Sequence, residues 1–283
     1  MRFAKYHGLG NDFIMLSDPG DDLALTPGLV RRLCDRRFGI GADGVIRVAP
    51  GDDGGELFMD YANSDGSIGE MCGNGIRCLA LFARRERLTD MRELKVGTRA
   101  GIKVVEVLDE DLVRVDMGPP LFAPADIPVV HHEDDALHVP LSVPQWRDPL
   151  VAACLSMGNP HAVLIVDDLD AIPVTTLGPL IESNHAFPRK TNVEFVHILN
   201  DDHVAVKVWE RGAGETLACG TGACAAAVAA RLLHNAAARL TVTLPGGDLD
   251  IEWSGSLQQA APVYMTGPAA HSFDGDVDLQ VPA

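Results

Sequence analysis

The chain repeats itself. A step of 147 positions carries Cys72-Gly73-Asn74-Gly75 onto Cys219-Gly220-Thr221-Gly222, and Asn63-Ser64 onto Glu210-Arg211. A step of 148 carries Gly10-Asn11 onto Gly158-Asn159. Each copy reads as an apolar strand, a polar pair, a Cys-Gly turn and a helix, so the chain consists of two diverged copies of one unit. Its 283 residues allow one large or two medium domains, and the repeat decides for two. The strand pattern breaks at Gly118-Pro119-Pro120, a proline-rich stretch runs to Pro149, and Gly267-Pro268 marks a second boundary. The expected halves are 1–118, joined by a returning tail 267–283, and 119–266.

The second copy is the more explicit. Val204 to Trp209 is an apolar strand, Glu210 and Arg211 follow, and a glycine-rich turn leads to Cys219 and an alanine-rich run out to Leu233. From Ala223 to Leu233 the only charge is Arg231. A helix apolar on nearly every side is buried, here inside the curved sheet of its own domain. In the first copy the helix spans Asn74–Leu88, with Ile76, Leu79, Ala80 and Ala83 on one face. Elsewhere the pattern predicts a strand from Arg2, a tight loop at 8–12 and a second strand from Phe13. Thr26-Pro27 supplies an N-cap and a first-turn proline for a helix to about Arg37. Strands follow at Val45–Val48 and Glu56–Tyr61, with a turn at 50–55 between them. The second half adds a helix at Leu177–Asn184 and a strand at Val193–Leu199. Many strands and few helices indicate an α/β or α+β class with mixed sheets.

Lys plus Arg number 23 against 40 Asp plus Glu, a formal charge of −17, which disfavours nucleic acid and anionic membranes as partners. The N-terminus lacks the apolar run of a signal peptide, and no segment reaches the roughly 20 apolar residues of a membrane span. The expected location is the cytoplasm, where six cysteines read as free thiols, metal ligands or catalysts before disulfides. Glycines beside Cys72 and Cys219 let backbone amides close on an anion at the start of a helix. The helix dipole there favours a thiolate. Metal binding by Cys72 with Cys78, or Cys219 with Cys224, has the wrong spacing for a zinc knuckle. Cys34 reads as a small buried hydrophobe. One thiol in each half suggests a single site at their junction, reached from opposite sides.

The motifs GLGNDF (8–13), GADG (41–44), ANSDGS (62–67), EMCGNGIRC (70–78), MGNPHAV (157–163), TNVEFV (191–196), WERGAGET (209–216) and ACGTGACA (218–225) together resemble the diaminopimelate epimerase family. The resemblance implies an α/β (α+β) fold of two pseudo-symmetric domains, each a mixed, mainly antiparallel curved sheet around a central helix, with the active site in the interdomain cleft. It implies interconversion of L,L- and meso-diaminopimelate, with no pyridoxal cofactor and no metal, for lysine and peptidoglycan precursors. Cys72 and Cys219 are the implied catalytic pair, and His161 and Glu210 the residues that tune the thiols. Substrate contacts are implied for Asn11, Asn63, Gly73, Asn74, Asn159, Asn192, Glu210, Arg211, Gly220 and Thr221. A homodimer is also implied. Gly44 departs from members that carry a glutamine there, and Asp43 reads as structural. Rival readings are another isomerase of proline racemase or phenazine-pathway type, a non-catalytic amino-acid binding protein, and a zinc protein.

Overall fold

The computed structural model describes residues 1–278 apart from 53, 134, 144–145 and 147–149. Parts of three expected segments (the turn at 50–55, the proline-rich stretch to Pro149 and the end of the tail) lie outside the described residues. The chain divides into two units. One is Met1–Asp116 with the chain from Thr266 onward, and the other is Met117–Met265.

The first unit opens with β1 (Arg2–Gly8), β2 (Asn11–Ser17), α1 (Pro27–Cys34), β3 (Gly44–Pro50), β4 (Leu57–Asn63) and β5 (Ile68–Gly69). α2 (Gly73–Arg85), β6 (Glu93–Thr98), β7 (Gly101–Val107) and β8 (Leu112–Gly118) follow. The second unit contains β9 (Val139–Leu141), β10 (Leu150–Ser156), β11 (Pro160–Ile165), α3 (Val174–Glu182), β12 (Asn192–Asn200), β13 (His203–Glu210) and β14 (Gly214–Thr216). It continues with α4 (Gly220–His234), β15 (Arg239–Leu244) and β16 (Gly247–Glu252), and leaves through β17 (Val263–Pro268). β18 (Ala270–Asp276) then pairs antiparallel with β1.

Strand pairing repeats between the units. β1–β2 and β10–β11 are antiparallel hairpins, and β2–β3 and β11–β12 are parallel. β3–β4 and β12–β13 are antiparallel, while β4–β6 and β13–β15 are parallel. Within each unit one helix lies inside the sheet. α2 packs against β1, β2, β3, β7 and β18, and α4 against β10 to β13, β15 and β16. A second helix covers the outer face. α1 packs on β3, and α3 on β12, β13 and β14. Strands covered on both faces lose the alternating pattern, so Phe13–Leu16 and Asn192–Val196 are continuously buried. In α4 every residue from Ala223 to Ala230 is buried, as its composition required.

Several boundaries differ from the sequence reading, each for a local reason. The β1–β2 connection is the two-residue turn Leu9-Gly10, both at positive φ (55° and 84°), and Asn11 already belongs to β2. Such paired left-handed residues make the hairpin turn that follows the strand twist. α1 keeps its Thr26 cap, with Leu29 N–H donating to Thr26 Oγ1 (3.3 Å), but ends at Cys34 rather than near Arg37. There the Asp35 carboxylate takes the N–H groups of Arg37 (2.7 Å) and Phe38 (2.8 Å) and turns the chain out of the helix. α2 likewise stops at Arg85, short of Leu88. α3 begins at Val174, three residues before the expected start, and carries Pro179 inside it. Burial of Val174, Leu177 and Ile181 against Phe195 and Val193 overrides the poor helix propensity of that stretch. No described helix is long and apolar enough to cross a membrane.

Candidate active site

Cys72 is the N-cap of α2. Its backbone is extended (φ −138°, ψ 120°), and Gly75 N–H donates to its sulfur at 3.4 Å. The thiol also reaches Asn11 Oδ1 (3.7 Å), which accepts from Asn74 Nδ2 at 3.2 Å. Asn11 is aimed by Asp43, whose Oδ2 accepts from Asn11 Nδ2 (2.8 Å) and Asp12 N–H (3.1 Å). Arg36 bridges Asp12 and Asp43 at 2.7 Å each, and Lys5 pairs with Asp12 at 2.7 Å. Burial opposes ionisation of Asp12, but hydrogen bonds and charge from Arg36 and Lys5 outweigh it and hold that carboxyl below the usual range. Arg77, fully buried, braces the start of α2 through Gly73 O (3.1 Å), Asn74 Oδ1 (2.9 Å) and Pro268 O (3.2 Å). Asn63, at the end of β4, accepts from the Tyr61 hydroxyl (2.6 Å) and donates to Ser67 Oγ (3.0 Å). Gly44 stands opposite Asn63 in the ladder. A Cβ there would meet the Tyr61 ring at 2.6 Å and Ala62 O at 2.7 Å, so Tyr61 fills the space a larger side chain would need.

Cys219 caps α4 in the same way, with φ −121°, ψ 114° and Gly222 N–H donating to sulfur at 3.4 Å. Thr221 Oγ1 is 3.5 Å from the sulfur, and Gly220 is the first helical residue. Around it the polar groups are carboxylates and an imidazole. Glu210, the last residue of β13, accepts from Thr216 Oγ1 at 2.5 Å. His161 on β11 is fully buried between Glu194 Oε1 (Nδ1, 2.7 Å) and Asn159 Oδ1 (Nε2, 2.8 Å). Asn192 donates to Pro160 O (2.9 Å) and accepts from Arg211 N–H (2.9 Å), leaving the Arg211 side chain exposed. The turn that carries Arg211 is tied to α3 by Glu182, which accepts from Trp209 Nε1 (2.8 Å), Gly212 N–H (3.1 Å) and Lys190 Nζ (3.2 Å).

At Cys219 the helix dipole and burial act in opposite directions. A helix N-terminus favours a thiolate by about 0.3–1 kcal/mol. Full burial can raise a thiol by as much as about 3–5 pKa units, at about 1.4 kcal/mol each. Burial, followed by the charges of Glu210 and Glu194, pushes the Cys219 thiol well above its ordinary value, against the opposing pull of Thr221 and Gly222. Glu210 is itself pushed up by burial, with the Glu194 charge adding and hydrogen bonds from Thr216 and Cys219 opposing. The four other cysteines are buried. Burial raises Cys34 to about 11 and Cys78 to about 12.

Glu194, Arg77, Glu182, Tyr61 and Thr216 were not singled out from sequence. The signal that finds Glu194 is the repeat itself. In the β2–β3 ladder Phe13 pairs with Gly44 and Met15 with Ile46. In β11–β12 His161 pairs with Asn192 and Val163 with Glu194. The step of 148 thus lays Phe13 on His161 and Ile46 on Glu194. A buried polar pair in the second unit replaces an apolar pair in the first.

Two units with matching strand pairings, each packed around a helix capped by a cysteine, make a fold that other chains share. A probable proline racemase of Agrobacterium radiobacter K84 aligns with TM-score 0.72 and 17% identity, over 99% of this chain and 93% of that one. A phenazine biosynthesis protein of the PhzF family from Bacillus anthracis aligns with TM-score 0.70 and 16% identity, over 99% of both. Within this fold, the family model for diaminopimelate epimerase matches residues 3–123 and 153–272. The chain is 48% identical to the diaminopimelate epimerase of Moorella thermoacetica over 290 residues, 99% of this chain and 100% of that one. It is 49% identical to that of Desulforudis audaxviator, covering 97% and 98%. The chain belongs to the diaminopimelate epimerase family.

Proposed function

We propose that the chain interconverts L,L- and meso-diaminopimelate by two-base proton transfer at the α-carbon, with Cys72 and Cys219 as the two bases. Inversion at carbon needs a base on one face and an acid on the other. From the L,L-isomer, the Cys72 thiolate takes the α-proton and becomes a thiol. The Cys219 thiol delivers its proton to the opposite face and becomes a thiolate, and the reverse reaction exchanges the roles. The observation that carries this reading is the matched cap. In each unit a cysteine sulfur lies 3.4 Å from the third N–H of a buried helix, beside the first amides of that helix.

A helix N-terminus with glycines suits a substrate carboxylate whose charge grows as the α-proton leaves. Burial and the two carboxylates keep Cys219 in its acid form, as a proton donor requires. Arg211 suits a bidentate carboxylate, and Asn11, Asn63, Asn74, Asn159 and Asn192 suit either carboxylate or ammonium. Glu210 and His161 set the proton affinity of Cys219. The chemistry needs neither pyridoxal nor metal. As a family member the chain is expected to serve lysine and peptidoglycan precursor synthesis in the cytoplasm, as a homodimer.

The test is solvent exchange. In deuterium oxide the purified enzyme is expected to place deuterium at the α-carbon of diaminopimelate while interconverting the isomers. Binding without exchange would make it an amino-acid binding protein, and exchange on proline instead would make it another isomerase of this fold.

A further inference from the structure

Two buried side chains lie behind the caps at equivalent places. A Cβ added to Gly75 would strike Ile46 Cδ1 at 2.6 Å, and one added to Gly222 would strike Glu194 Oε1 at 2.7 Å and stand 3.3 Å from Cys219 Sγ. The apolar pair Phe13 and Ile46 in one unit and the polar pair His161 and Glu194 in the other are all fully buried. The first unit therefore demonstrates that the fold is built without charge at this place. Burying a carboxylate carries a desolvation cost that an apolar side chain does not. Here that cost is compounded, because Glu194 Oε2 is buried with no hydrogen-bond partner among the described residues. A pair that folding does not require, at the back of a thiol, calls for a chemical reason.

We propose that Glu194 is a positioning residue of the Cys219 half-site, holding a proton on Nδ1 of His161 and so reserving Nε2 for Asn159 and the substrate that Asn159 binds. This rests on the function proposed above. Both ring nitrogens of His161 face oxygens, Nδ1 that of Glu194 and Nε2 that of Asn159. The two ends of an amide are interchangeable by a half-turn. With Asn159 as placed the ring carries two protons, and with the amide reversed Nε2 accepts from Asn159 Nδ2. Nδ1–H donates to Glu194 in both arrangements. The ionisable groups facing Glu194 are His161 on β11, Glu210 on β13, Cys219 at the head of α4 and Cys154 on β10. Its negative charge joins burial and Glu210 in keeping Cys219 protonated. One carboxylate thus sets both the ring's tautomer and the thiol's form, a combination that Ile46 cannot supply behind Cys72.

Two measurements on the full chain test this. Long-range ¹H–¹⁵N correlation spectra of the free enzyme are expected to show His161 protonated at Nδ1. A single proton on Nε2 would overturn the proposal. Glu194→Gln is expected to lower kcat about tenfold or more while KM stays within about twofold, since loss of alignment alone costs up to about 10²-fold. Its pH–rate profile is expected to shift, and Glu194→Asp is expected to restore part of the rate. An unchanged kcat and profile in Glu194→Gln would overturn the assignment. The double variant His161→Phe/Glu194→Ile, which copies the first unit, is expected to fold with an undiminished urea midpoint and to lose activity. Failure to fold would make the pair structural and sink the idea. A wild-type chain that binds but does not epimerise, with Nδ1 protonated, would count against the proposed function and leave the histidine assignment standing.

Discussion

Set side by side, the surroundings of Cys72 and Cys219 share a backbone and differ in charge. Both sulfurs take the N–H three residues on at 3.4 Å, from helices entered through the same Cys-Gly turn. Behind Cys72 stand amides, Asn11 and Asn74, with Asp43, Asp12, Arg36 and Lys5 relaying outward. Behind Cys219 stand Glu210, Glu194 and His161. Cys72 is partly exposed, whereas Cys219 is 5% exposed. The cap geometry is thus a property of the repeated fold, while burial and then the carboxylates one layer back raise the Cys219 thiol. The repeat supplies two equivalently capped sulfurs, and the residues that back them have diverged.

The largest effect expected on this contrast comes from removing a sulfur. Cys72→Ala and Cys219→Ala are each expected to abolish interconversion of the isomers, a loss of at least about 10²–10⁴-fold, with circular dichroism unchanged. Full activity in Cys72→Ala would end the two-base reading.

Next comes Arg211, the proposed substrate contact of the WERGAGET motif. Arg211→Ala is expected to raise KM by the equivalent of about 1.5–3 kcal/mol, and Arg211→Lys to recover part of it. An unchanged KM in both would remove Arg211 from the site.

The glycines then compare the two backings directly. Ala at position 75 meets the flexible ends of Ile46 and Met59 (2.6 and 2.9 Å), whereas Ala at position 222 meets a carboxylate pinned by His161. Gly75→Ala is expected to leave kcat within a few-fold and stability within about 1–2 kcal/mol, overpacking offsetting the helix-propensity gain. Gly222→Ala is expected to lower kcat by about 10²-fold through displacement of Glu194 or Cys219. Equal effects at the two positions would erase the distinction.

The smallest effect is on stability. Burial raises the Glu210 carboxyl in the folded state above its ordinary value near 4.5. The folded protein therefore holds that proton more tightly than the unfolded chain, and stability falls as pH rises from 4.5 through the folded value. The equivalent residue of the first unit is Asn63, which does not titrate. Glu210→Gln is expected to have a higher urea midpoint than wild type at pH 7 and an equal one at pH 4. A lower midpoint at pH 7 would show that ionised Glu210 stabilises the fold.

Much of this was legible in the chain because glycine, proline and cysteine act locally. Thr26-Pro27 starts a helix, Cys72 and Cys219 open theirs, and the alanine run of α4 is buried from Ala223 to Ala230. What was not legible depends on distant partners. β18 is mostly exposed and carries Asp274 and Asp276, so only its pairing with β1 makes it a strand. Glu194 lies in a strand buried on both faces, where no alternation distinguishes a buried carboxylate from its apolar neighbours. Asp43 reads as structural, and it is what aims Asn11 at the thiol. The thiolate that the helix dipole favours is opposed at Cys219 first by burial and then by carboxylates that arrive from β12 and β13.

The last strand also has a consequence in time. Arg2 pairs with Asp276, and the terminal amine of Met1 donates to Val277 O at 2.8 Å, so β1 is completed by a strand made much later. The second unit, continuous from Met117 to Met265, has all its strands once β17 has left the ribosome at residue 268. At about 5–20 residues per second, the first unit waits roughly ten to thirty seconds after its own residue 116 for the partner of β1 to be synthesised. Through that interval β1 presents an unpaired edge, the kind of surface on which nascent chains pair with one another. The unit that contains β1 therefore completes its folding after the other, and its assembly is the slower because its contacts span nearly the whole chain.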